Sequence, residues 1–277
     1  VLTMGPPDPL GTGAFWAAYE AKRPQGQATE IAPVLNKLRQ LIMRPGLRAV
    51  LGQSNPRLDL RDILTRRRIV VVNLNRARIG AGAARLLGSL LLAQLWHHLL
   101  SRQALPPERR HIISVFIDEV HDFLAGLPGD LSDALAQSRS LGAAFHLAHQ
   151  YRTQLSPQMI QAIETNARNK IYFGLSGTDA SASARLAPDL EAADFQLLGR
   201  YRAYAHLIHH GRPTDWFTIA TKTAPPPLRD PADLYAASHT RYGIPAQTTE
   251  TELLHLIDPP PKRASDQTPA PIGRTRR

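Results

Sequence analysis

Ile112-Ile113-Ser114-Val115-Phe116-Ile117-Asp118-Glu119 reads as a buried β-strand that ends in two consecutive carboxylates. Its apolar residues do not alternate with polar ones, which is the pattern of a strand covered on both faces. In an open α/β sheet such a strand delivers the residues after it to the carboxyl edge, where these sheets keep their ligand crevice. An Asp there can hold a hard divalent cation, which prefers oxygen ligands and retains waters, and the adjacent Glu can act as general base on a water. The same pair also suits a plain strand end with two solvated acids.

Working outward, a second β-branched run, Ile69-Val70-Val71-Val72-Asn73-Leu74, follows Arg66-Arg67-Arg68. Gly80 and Gly82 then lead into a long helix from about Ala83 to Arg102, Pro106 and Pro107 break the chain, and the strand His111–Ile117 begins. Strand, long helix, strand implies a right-handed crossover and a parallel sheet. Downstream the alternation continues with a helix over Leu131–Ser140, a strand over Ala143–Ala148, a helix over Pro157–Ala167 and a strand over Lys170–Phe173. Helices over Ala180–Leu186 and Glu191–Leu198 follow, and then Tyr201–His209 and Trp216–Ala220, separated by Gly211-Arg212-Pro213, form a β-hairpin. The expected class is α/β, a doubly wound layer with a mainly parallel sheet over residues 66–224 and a closing hairpin.

Residues 1–65 read as a mainly helical segment, with turn chemistry at Pro6, Pro7, Pro9, Gly11 and Gly13 and a helix over Ala14–Lys22. A second helix runs over Glu30–Met43, where Ile31, Val34, Leu35, Leu38, Leu41 and Ile42 recur at helical spacing and Pro33 falls in the first turn. A short helix follows Asp59. From Ala224-Pro225-Pro226-Pro227 the pattern weakens, and residues 225–277 read as a Pro-rich, basic, largely disordered tail. Such a tail is either a solvated end or a phosphate-contacting arm.

With 277 residues and 43% hydrophobic composition the chain can bury a sizeable core, which excludes fibrous and wholly disordered readings. The absence of cysteine excludes a disulfide framework, a thiolate metal site and a cysteine nucleophile. A formal charge of +10, mostly from arginine, favours polyanionic partners such as nucleic acid, or serves solubility alone. No secretory signal opens the chain, and a start at Val1 suggests a fragment. The apolar run Leu86–Leu100 carries Gln94, His97 and His98 and falls short of the roughly 20 residues a membrane span needs, so it reads as a buried helix.

The next apolar strand, Ala143-Ala144-Phe145-His146-Leu147-Ala148, again closes on polar side chains, His149 and Gln150. If the two strands are neighbours, Gln150 projects into the same crevice as the acids, where an amide can donate to a phosphate oxygen and accept from a water. An ordinary loop amide is the alternative. His146 and His149 point to different faces and make poor zinc partners. Gly174-Leu175-Ser176-Gly177 lacks the spacing of a serine nucleophile elbow. Arg66-Arg67-Arg68 and Glu108-Arg109-Arg110 each precede a strand, hence lie at the edge opposite the carboxylates as solvated caps.

The succession Ile69–Leu74, Gly80 with Leu86-Leu87-Gly88-Ser89, Phe116-Ile117-Asp118-Glu119, Leu147-Ala148-His149-Gln150 with Gln154-Leu155, and Asn166-Ala167-Arg168-Asn169-Lys170 through Asp179-Ala180 resembles the C-terminal half of HerA/FtsK-type P-loop ATPases. Within them it most resembles the coupling proteins of conjugative type IV secretion, over roughly Leu35 to Thr223. The resemblance implies a RecA-like motor that assembles as a hexameric homo-oligomer and drives DNA through its channel with ATP and Mg²⁺. Asp118 and Glu119 fall on the Walker B positions, as magnesium ligand and general base, and Gln150 on the sensor glutamine at the γ-phosphate. It further implies a secretion channel or relaxase as partner, and a cytoplasmic location at the inner face of the membrane through an N-terminal region missing here.

A ring motor completes each site with an arginine from the neighbouring subunit, for which Arg139 and Arg168 are the candidates, with Arg152 and Arg185 behind them. One departure is serious: no G-x-x-x-x-G-K-[ST] run occurs, and Gly80-Ala81-Gly82-Ala83-Ala84-Arg85 lacks its lysine and hydroxyl residue. The expectation is that the phosphate loop lies upstream of Val1 and that this chain alone is inactive. The alternatives are a non-hydrolysing nucleic-acid-binding or scaffold relative, and an ATPase that secretes protein.

Overall fold

A computed structural model describes residues 12–123 and 131–257. Helices α1 (Thr12–Glu20), α2 (Pro24–Ile42) and α3 (Pro45–Leu51) are followed by α4 (Leu60–Thr65), the one-turn α5 (Arg76–Ile79) and the long α6 (Ala81–Ser101). Strand β1 (Ile113–Ile117), α7 (Leu131–Ser138), β2 (Ala143–Leu147), α8 (Pro157–Asn166) and β3 (Lys170–Tyr172) come next. The chain continues through α9 (Gly177–Ala184), α10 (Ala192–Gln196), β4 (Arg202–His206), β5 (Ile208–His209), β6 (Arg212–Pro213) and β7 (Phe217–Ala220) to α11 (Pro231–Tyr242) and α12 (Ala246–Ile257). Residues 59–230 form one compact unit, and 12–58 with 231–257 form the other.

The larger unit is built around the pair that the sequence singles out. β1 and β2 run parallel, in register from Ile113 opposite Ala143 to Ile117 opposite Leu147. Ile113 and Phe145 pack onto Trp96 and Leu99 of α6 and onto Leu141, while Ile117 and Leu147 meet Val120, Leu155 and the α8 residues Ile160, Ala162 and Ile163. Period-2 geometry sends the intervening residues to the other face. There Phe116 is 75% exposed and stacks on the His146 ring at 4.1 Å. The sequence leads one to expect cover on both faces; α6, α7 and α8 supply one, and no described element supplies the other.

The expected strand at Ile69–Leu74 does not form: residues 68–75 have no regular secondary structure, and Ile69 and Val71 are 94% and 88% exposed. β-branched residues favour a strand only where a ladder partner and a packed face exist, and among the described residues no strand pairs with this one. The mainly parallel sheet is likewise corrected. β3, β4 and β7 form a separate antiparallel sheet, with Tyr172 opposite Tyr204 and Ala205 opposite Phe217. A connection as long as the one from β3 to β4 permits either strand direction, and here an aromatic cluster accompanies the antiparallel register. Phe195 of α10 is fully buried between Tyr172, Tyr204 and Trp216, a burial that stabilises by roughly 2–3 kcal/mol. The expected hairpin is present as β4 and β7, and its connection carries the small β5–β6 ladder closed at Gly211, φ 80°.

In the smaller unit α2 begins at Pro24, a turn and a half before the expected start, so Pro33 lies inside the helix and not in its first turn. The tail needs the larger correction. Residues 231–242 and 246–257 are helical where irregular chain is expected, and 258–277 lie outside the described residues. Pro231 opens α11 and Pro245 immediately precedes α12, positions where proline costs a helix nothing. α12 lies against α3: Leu253 approaches so closely that a Cβ on Gly52 would stand 2.6 Å from its Cδ1, and Glu250 pairs with Arg48. Arg57 Nη1 donates to the Gly243 carbonyl at 3.1 Å in the same unit.

Candidate active site at the carboxyl edge of the parallel strands

Beyond the last paired residues, Ala148 N donates to Ile117 O and Val120 N donates to Ala148 O, each at 3.0 Å. Asp118-Glu119 and His149-Gln150 therefore leave the two strands side by side at their carboxyl edge. Glu119 takes a left-handed backbone, φ 49° and ψ 48°, which bulky L-residues seldom adopt. That conformation turns the chain from β1 into a 3₁₀ turn over Val120–Asp122, whose first residue is fully buried. Asp118 is exposed, and its Oδ1 accepts from Glu119 N at 3.0 Å.

Gln150 Nε2 donates to Glu119 Oε1, so the acid of one strand and the amide of the next meet directly. The Gln150 backbone is fixed in turn by Gln154, whose Oε1 accepts from Gln150 N at 3.2 Å and Tyr151 N at 3.0 Å. Beside it, His149 is partly buried, and desolvation holds its imidazole below the usual histidine pKa.

Four further residues converge here that the sequence reading did not single out. Asp122 is 4% exposed and pairs with Arg76 of α5 and with Arg85 of α6, the latter at 3.1 Å. His121 lies between the acids, with Nδ1 3.4 Å from Glu119 Oε2 and Nε2 3.8 Å from Asp122 Oδ1. For His121 and Asp122 the signal was the run Asp118-Glu119-Val120-His121-Asp122, in which charged and titratable side chains continue past the strand end into an apolar setting; no local pattern marks Arg76 or Arg85. Helix α6 backs the turn at close range. A Cβ on Gly88 would come within 2.3 Å of the Phe123 ring, and Ser89 Oγ donates to Phe123 O at 3.3 Å.

The candidate arginines stand elsewhere. Arg139 lines a shallow hollow with Pro107, Arg110, Ser140 and Gly142 at the opposite, amino end of the strands. Arg168 is exposed in the link from α8 to β3 and makes no ion pair among the described residues. Arg152 is committed to Glu164 at 2.5 Å, and Arg185 is exposed at the end of α9. Arg110 donates to the carbonyls of Gln103, Leu105 and Ser140, while Arg66 and Arg68 pair with Asp62. His146 stacks on Phe116 from within β2 while His149 lies past the strand end, and the described residues hold no group of three or more side chains able to bind a metal by themselves.

Solved structures of a plasmid coupling protein are similar to part of this chain. The coupling protein TrwB, in complex with the non-hydrolysable GTP analogue GDPNP, is 20% identical to this chain, with a TM-score of 0.45, over 55% of this chain and 40% of TrwB. TrwB in complex with ADP and Mg²⁺ gives 21% identity and a TM-score of 0.44 over the same shares. The chain thus matches well under half of the TrwB length. No family model matches it. No curated protein matches it either.

The donor set at the edge fits Mg²⁺ in a limited way. This ion takes one or two carboxylates and fills its octahedron with phosphates and waters, and the exposed Asp118 is a carboxylate of that kind. A nucleotide's phosphates find less: α6 opens on Gly80 and Ala81-Gly82-Ala83-Ala84, with no lysine or hydroxyl in its first turn. No helix among the described residues is long and apolar enough to cross a membrane.

Proposed function

We propose that this chain is the Walker B and sensor half of an ATP-hydrolysing motor that moves DNA, in the manner of the conjugative coupling proteins that its motif order resembles. The single observation that carries the proposal is the contact of Gln150 with Glu119 at the carboxyl edge of two adjacent parallel strands. Ion-pair networks occur on many surfaces, but an acid and an amide delivered from neighbouring parallel strands to one carboxyl edge can together hold and deprotonate a water molecule.

In this reading water attacks the γ-phosphorus, its proton passes to a carboxylate oxygen of Glu119, and the bond to the bridging oxygen breaks to release ADP. Gln150 holds the attacking water in line and answers to the γ-phosphate. Asp118 would hold Mg²⁺, which supplies charge neutralisation on the phosphoryl oxygens when bound. Arg139, at the amino end of the strands, or the exposed Arg168 would serve the neighbouring subunit of a hexameric ring. The phosphate-binding loop would come from protein sequence other than these 277 residues. The formal charge of +10 suits DNA as the polyanionic cargo, and a secretion channel or relaxase would be the further partner at the cytoplasmic face of the membrane.

Glu119→Gln in the full-length protein tests this. Loss of a general base predicts a fall in turnover of about 10²- to 10⁴-fold with nucleotide binding retained. An unchanged hydrolysis rate would remove Glu119 from the role. A second reading, a nucleic-acid-binding or scaffold relative without hydrolysis, is favoured by the missing lysine and hydroxyl at the start of α6. Retention of DNA by a full-length protein that binds no nucleotide would select it.

A further inference from the structure

Glu119 Oε2 and His121 Nδ1 are both buried, and neither has a hydrogen-bond partner. They lie 3.4 Å apart, each the other's available complement. Buried polar atoms in folded proteins are nearly always paired, and a carboxylate oxygen can only accept. A small rotation of either side chain satisfies both atoms at once when the imidazole carries a proton on Nδ1 and gives it to Oε2. On the far side of the ring Nε2 faces the buried Asp122, itself clamped by Arg76 and Arg85. Behind the turn Gly88 and Ser89 hold Phe123, and the His121 side chain itself is only 17% exposed.

We propose that His121 is a positioning residue for Glu119: its Nδ1–H donates to Oε2 while Gln150 donates to Oε1, and Asp122 with its two arginines holds the imidazole in place. Grasped at both oxygens, the carboxylate cannot rotate about its terminal bond, and its remaining lone pairs point in fixed directions. Pre-orientation of this kind matters because a base misplaced by an ångström loses much of its effect. The consequence for turnover rests on the hydrolytic reading above; the contact itself does not.

Two measurements separate these. In the ¹⁵N-labelled chain without nucleotide, long-range ¹H–¹⁵N correlation of the His121 ring reports which nitrogen bears the proton. The expected result is a protonated Nδ1 in the wild type, which reverts to Nε2–H in Glu119→Ala. A bare Nδ1 in the wild type, or a ring indifferent to Glu119→Ala, overturns the proposal. In the full-length protein His121→Ala is expected to lower kcat about tenfold to a hundredfold with KM little changed, as outer partners of active groups do elsewhere. His121→Asn, whose amide nitrogen stands where Nδ1 does, restores most of that loss. His121→Gln, which reaches only the Nε2 position, does not. Rescue by Gln in place of Asn, or full activity in His121→Ala, contradicts the positioning role. A protonated Nδ1 alongside hydrolysis that ignores Glu119→Gln would sustain the contact and sink the hydrolytic reading.

Discussion

Glu119 carries more constraint than any other side chain at the strand edge. Its backbone is left-handed, one oxygen accepts from Gln150 and the other is buried beside His121. A left-handed glutamate costs of order 1 kcal/mol or more, and that cost is tolerated where surrounding structure fixes the residue for use. Its neighbour across the ladder, His149, supplies a pH dependence. Burial lowers the folded-state pKa of His149, so the unfolded chain takes up the proton first as pH falls. The stability due to a neutral His149 is complete above the unfolded value of about 6.5 and drains away below it. The urea midpoint is therefore expected to fall between about pH 7.5 and about pH 5.5, and to fall less in His149→Gln, where that proton-binding difference is gone. Equal falls in the two proteins would assign the acid sensitivity to other groups.

At the scale of elements, the three-stranded antiparallel sheet depends on a single aromatic plug. Phe195 is 0% exposed and touches Tyr172, Tyr204 and Trp216 edge-on. Phe195→Ala is expected to cost about 3–5 kcal/mol, measured by chemical denaturation with the near-ultraviolet signal of Trp216 as the local probe. A loss below about 1 kcal/mol would mean that α10 does not seal this sheet. The elements themselves were largely legible. α6, β1, β2 and α8 fall within a few residues of where spacing and breakers put them, because each is long or strongly apolar and has a partner within the chain. Ile69–Leu74 was not, since propensity announces a strand but the ladder partner that makes one is a tertiary fact. Helices α11 and α12 escape the sequence reading because proline taken over a whole segment signals disorder, whereas Pro231 and Pro245 stand at helix starts, where proline is neutral. The site divides in the same way. The meeting of Glu119 with Gln150 follows from strand adjacency, while the Arg76 and Arg85 clamp on Asp122 spans separations that no local pattern encodes.

For the whole molecule, charge and the carboxyl edge must be read together. An arginine-rich chain of formal charge +10 holds a compact acidic group, Asp118, Glu119 and Asp122, at one end of its only parallel pair among the described residues. A motor needs both features, one to follow a polyanion and one to activate water; a passive binder needs only the first. DNA-dependent ATP hydrolysis by the full-length protein separates these most directly. A rate that rises on addition of DNA and collapses in both Glu119→Gln and Gln150→Ala is the predicted result. A protein that binds DNA but hydrolyses no ATP, or hydrolyses it equally with either side chain replaced, would contradict the placement of catalysis at this edge.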